Sequence, residues 1–91
     1  MSKRKDQQIA DAFRALGHPV RLQIVRILQD EGACFAGDIS RRLPVVASTA
    51  SQHFKILREA GIINDAVDGP HRYYSIDKQT MLDLKAWVRK L

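Results

Sequence analysis

The sequence predicts a mainly α-helical α+β domain: four helices, then a β-hairpin, then a closing helix. Three observations carry that prediction. Apolar residues recur at helical spacing along both ends of the chain, Pro44 separates two short striped segments in the middle, and a strand-like run of Ile, Val and Tyr surrounds Asp68-Gly69-Pro70.

Ile9, Ala12, Phe13 and Leu16 form an i, i+3, i+4, i+7 stripe, so a first helix runs from about Asp6 to Leu16 and stops at Gly17, a residue suited to a left-handed C-cap. Pro19 fits the first turn of a second helix because its φ is already helical. Val20, Ile24, Ile27 and Leu28 carry that helix's stripe, Val25 widens it, and it ends before Gly32. Ala33-Cys34-Phe35 is too short for a helix and reads as a minor strand or extended link. A short third helix opens at Asp38 or its neighbour, turns Ile39 and Leu43 inward and Arg41 and Arg42 outward, and closes at Pro44. Ala50, Phe54 and Leu57 are the buried stripe of a fourth helix ending at Gly61.

Ile62 to Val67 and His71 to Ile76 then alternate as two strands of a hairpin. Pro70 cannot donate to the ladder and biases Gly69 toward an extended shape, which predicts a connection longer than two residues. The last helix starts near Lys78, with Met81, Leu84, Val88 and Leu91 on one stripe, Trp87 beside it, and Lys85, Arg89 and Lys90 opposite.

Size and charge narrow the function classes. A chain of 91 residues makes one domain, here 1–91, with a thin core, so a second copy is expected to cover its terminal helices through Ile9, Phe13, Met81, Leu84, Trp87 and Val88. No run approaches the roughly 20 apolar residues of a membrane span. The basic start, Met1 to Lys5, is followed by Asp6, Gln7 and Gln8 rather than an apolar segment, so a cytoplasmic location is expected. The single cysteine, Cys34, excludes an internal disulfide and a thiolate-built zinc site, and no cofactor is implied. The formal charge of +5 suits a polyanionic partner.

Two short helices followed by a hairpin make a winged helix-turn-helix, whose second motif helix enters the major groove of double-stranded DNA while the hairpin tip reaches along the backbone. With Ala50, Phe54 and Leu57 inward, Ser48, Thr49, Ser51, Gln52 and Lys55 lie on or near the outer half of the fourth helix. Gln can pair with an adenine edge, the hydroxyls with bases or phosphates, and Lys with phosphate. Asp and Glu are absent from Pro44 to Arg58, and the helix N-terminus favours anions. Arg72 is the wing contact, with Arg41, His53 and His71 as further candidates. An enzyme is disfavoured: Ser51 and His53 point in different directions, and no carboxylate pair or glycine-rich loop joins them. The rival is a protein-interaction winged helix or anti-repressor, against which the carboxylate-free helix face and a basic hairpin speak.

Ala15-Leu16-Gly17-His18-Pro19-Val20-Arg21-Leu22, the run Ser48 through Ile63, and Gly69 through Ile76 with Tyr73-Tyr74-Ser75 together resemble the ArsR/SmtB family of winged-helix repressors, over nearly the whole chain. The resemblance implies a homodimer held by the first and last helices, bound to an inverted-repeat operator. It also marks departures. Metal-sensing members use a Cys-x-Cys pair near the third helix or Asp, His and Glu ligands on the last; here Cys34 stands alone and the last helix has no His or Cys. One thiol is a poor soft-metal site, so no metal is expected. Cys34 reads as a small buried hydrophobe, with a redox role as the alternative. His18 reads as a hinge or cap, and Val46 stands where relatives often place a capping Ser, so the fourth helix frays at its start or borrows Ser48, at a cost of about 1 kcal/mol.

Overall fold

The computed structural model describes residues 6–91; the basic start at 1–5 lies outside the described residues. In chain order the elements are α1 (Asp6–Leu16), α2 (Pro19–Glu31), β1 (Cys34–Phe35), α3 (Ala36–Arg41), α4 (Ala47–Glu59), β2 (Ile63–Asp68), β3 (His71–Ile76) and α5 (Lys78–Arg89). This is the predicted order. The hairpin gains a third strand, because β1 pairs with the outer edge of β3 to give the antiparallel order β1-β3-β2.

α1 buries Ile9, Ala12 and Ala15, leaving Phe13 and Leu16 at the margin. Gly17 does not take the left-handed cap that its identity suggested, for positive φ occurs only at Gly32, Gly61 and Gly69 among the described residues. A cation from the next helix serves α1 instead: Arg21 donates to the Ala15 carbonyl at 2.5 Å and to the Arg14 carbonyl at 3.4 Å. α2 has Pro19 in its first turn and His18 as N-cap, whose Nδ1 accepts from the Val20 N–H at 3.1 Å. The capping role expected of His18 is the one it performs.

α3 begins at Ala36, two residues before the expected Asp38, which sits within the first turn where its carboxylate complements the helix dipole. Ile39 and Leu43 point inward as expected. α4 ends in a Schellman motif: with Gly61 at φ 78°, the Ile62 N–H bonds the Leu57 carbonyl at 2.9 Å and the Gly61 N–H bonds the Arg58 carbonyl at 3.0 Å. Ile62 is thereby delivered into the core, fully buried in the same cluster as Leu57, Leu28, Ile24 and Ile39.

The wing turn is shorter than expected. Asp68 pairs with His71 and leaves only Gly69 and Pro70 as the connection. Gly69 has φ 61°, the sign that a type II′ turn requires at its first central position, and the second central position has an N–H that the ladder never uses, so Pro70 costs nothing there.

Asp77 caps α5, accepting from the Thr80 N–H at 3.0 Å. The buried stripe of α5 is shorter than its apolar pattern: Leu84 is buried, Met81 half-buried, while Val88 and Leu91 are 48% and 88% exposed. Of the residues expected at a dimer interface, Ile9 and Leu84 are the two that are largely buried within the protomer itself. Both count in the protomer's own core, Ile9 7% and Leu84 4% exposed, though Leu84 also lines the groove between α1 and α5 beside Phe13, Leu16, Met81 and Val88. Phe13, Met81, Trp87 and Val88 keep accessible surface, and the Phe13 and Trp87 rings meet edge to face at 5.6 Å.

Candidate nucleic-acid interface

The outer face of α4 is set by what its inner face buries. Ala50, His53, Phe54 and Leu57 are buried. Ser48, Ser51, Gln52 and Lys55 are exposed and Thr49 is half-exposed, so the expected polar face is the one turned to solvent. Val46 is the N-cap and, as its side chain dictates, supplies no cap bond; Ser48 does not replace it, so the first-turn amides carry no side-chain cap.

A groove of about 610 Å³ separates α4 from α3 and the wing, with Arg41, Ser51, Lys55, Arg58 and Arg72 around the buried rings of Phe54 and Tyr74. Those two rings stack at 4.6 Å with 20° between their planes, which ties β3 to α4. Strand alternation puts Arg72 on the Tyr74 side of β3, facing the groove, and His71 on the other side against Phe35 at 4.6 Å.

Arg58 and Asp65 were not anticipated. The Asp65 carboxylate accepts from Arg72 at 2.6 Å and lies 3.8 Å from the Arg58 guanidinium. The expectation of a basic hairpin is corrected accordingly: β2 and β3 carry Asp65 and Asp68 against Arg72, and the basic charge belongs to the groove. Arg41 is exposed and paired with Asp38 within α3.

His53 leaves the list of DNA contacts. It points away from the groove, 9% exposed, with its ring 4.5 Å from that of His18 and its Nδ1 3.2 Å from Arg21. A guanidinium only donates, so Nδ1 accepts and the ring proton sits on Nε2. Burial, then His18 and Arg21, hold its pKa below the ordinary histidine value.

Cys34 is half-buried rather than buried, with its thiol directed at the Gly32 carbonyl at 3.3 Å. Burial first, then the Glu31 carboxylate, push the thiol pKa up, which disfavours the reactive thiolate. Among the described residues no group of three or more His, Cys, Asp or Glu side chains is placed to hold a metal, and no helix is long and apolar enough to cross a membrane.

A solvent-facing helix with no carboxylate before its last residue, Glu59, a groove lined by four cations and a ribbon locked to that helix define a winged-helix DNA-binding regulator. Residues 16–66 match the family model described as a helix-turn-helix domain. The chain is 39% identical over 80 residues to the uncharacterized regulator YceK of Bacillus subtilis (strain 168), covering 86% of this chain and 80% of the relative. It is 31% identical over 78 residues to the transcriptional repressor SdpR of the same organism, covering 86% of each. Its fold matches the homodimeric winged helix-turn-helix domain of Mb0332 from Mycobacterium bovis, a possible ArsR-family regulator, with a TM-score of 0.75, 24% identity, and 99% and 90% of the two chains covered. The chain belongs to the ArsR/SmtB family of winged-helix transcriptional regulators.

Proposed function

We propose that this protein is a homodimeric, cytoplasmic repressor that binds an inverted-repeat operator, without metal or thiol control and without enzymatic activity. The observation that carries the reading is the orientation of α4. Ser48, Thr49, Ser51 and Gln52 sit on its exposed N-terminal half, where a major groove presents base edges, and Lys55 and Arg72 flank them toward phosphate. Arg41 extends the surface on the α3 side, and His71, on the opposite face of β3 at the wing tip, is a further candidate contact.

The whole described chain serves as one unit, and dimerisation uses α1 and α5. Phe13, Met81 and Val88, with Leu16, line an open apolar groove between the two helices, and the exposed Trp87 packs its ring against Phe13 at the edge of it. The homodimeric description of the Mycobacterium bovis domain supports this pairing, and the repressor description of SdpR supports the direction of regulation. Two copies related by a two-fold axis require half-sites spaced by about one helical turn or a multiple of it.

Selection of duplexes from a random pool tests the reading. A two-fold symmetric site should emerge, and Gln52→Ala should relax base choice at one position per half-site, with a loss of about 1–3 kcal/mol of discrimination there. If Gln52→Ala recovers the parent's site with the parent's selectivity, α4 is not the reading helix.

A further inference from the structure

Resting on the interface just proposed, one acidic side chain stands where a phosphate would bind. The two-residue turn fixes Asp65 opposite Tyr74, so its carboxylate shares a face with Arg72, the diagonal neighbour two residues along β3. α4 brings Arg58 to the same carboxylate from below. An oxyanion held between two guanidinium groups is how a backbone phosphate oxygen is recognised.

We propose that Asp65 is an internal competitor for phosphate, a positioning residue that engages Arg58 and Arg72 in the free protein and so sets the sequence-independent strength of DNA binding. Its side chain is 30% exposed, and those of Arg72 and Arg58 are 46% and 35% exposed. Pairs this exposed are weak and exchange readily, so a duplex can displace the carboxylate. The carboxylate then stays in the field of the phosphates it has yielded to. Every duplex meets that opposition, whatever its bases, while the base-facing residues of α4 are untouched.

Asp65→Asn keeps the size of the side chain and removes the charge. It should tighten binding to the selected operator and to a random duplex alike, by about two- to tenfold per engaged protomer. The dependence of log affinity on log salt should steepen by about one per protomer. Arg72→Ala should abolish most of that gain when combined with Asp65→Asn, and Asp65→Ser serves in its place if thermal melting shows the Asn variant to be unfolded. Unchanged or weaker binding of the charge-removed variant overturns the proposal, because Asp65 then orients the arginines for DNA or ignores it. A gain of equal size in an Arg58→Ala, Arg72→Ala background overturns it too, since only net charge would be at work. Failure of the parent itself to bind any duplex in a salt-dependent way is a different result and brings down the interface reading as a whole.

Discussion

Replacing Lys55 with alanine separates phosphate attraction from base reading more cleanly than any other single change in α4. The side chain is exposed, lines the groove, and has no ion pair among the described residues, so its removal disturbs little else. If each protomer's Lys55 neutralises one phosphate, a dimer loses two contacts, and the slope of log affinity against log salt flattens by about 1.8. Between about 50 and about 200 mM salt, a fourfold range, the parent should therefore lose about twelvefold more affinity than the variant. Fluorescence anisotropy with a labelled operator and a labelled random duplex measures both slopes. The variant should weaken both duplexes by the same factor, with an unchanged melting temperature. Equal slopes for parent and variant would refute the placement of Lys55 on the DNA backbone, and a loss confined to the operator would make it a base contact instead.

Phe54→Ala removes the ring that joins α4 to the wing and should cost about 3–5 kcal/mol, a large share of the roughly 5–14 kcal/mol expected for a chain this long; urea unfolding reads it, and a cost below about 1 kcal/mol would show the stack to be incidental. His53 makes stability depend on acidity. Its folded pKa is held below the ordinary 6.5, so its contribution is fully present above that value and is lost as the pH falls through the lowered folded value. Melting temperatures across that window should drop more for the parent than for His53→Gln, and parallel curves would remove His53 as the cause. Val88→Glu places a charge on the exposed face of α5 and should convert dimer to monomer in sedimentation velocity while leaving the protomer's melting largely intact; a persistent dimer would move the interface elsewhere.

Helix identity and order were legible because each stripe and each punctuating residue acts locally. Pro19, Gly32 and Gly61 all sit at helix ends, and Ala50, Phe54 and Leu57 bury the face their spacing implies. What escaped was non-local. Gly17 reads as a cap only until Arg21 from the next helix takes the carbonyls. The buried position of His53 depends on His18 and Arg21 in another helix, invisible from α4 alone. The pairing of Asp65 with Arg72 follows from register, and reading Pro70 as a sign of a longer loop concealed that register. A Gly-Pro pair with glycine first was the available signal, since it fits the two central positions of a type II′ turn. Length alone could not tell how far Ile9 and Leu84 are already buried within the protomer.

Tyr74 sits on the middle strand, between Cys34 and Asp65, with its ring flat on Phe54. Helix and ribbon are therefore the two jaws of a caliper whose opening is set by a pair of packed rings rather than by a hinge. A duplex whose contour departs from that span has to bend or narrow to be gripped, and the stiffness of its base steps then becomes a criterion of choice even at base pairs no side chain touches.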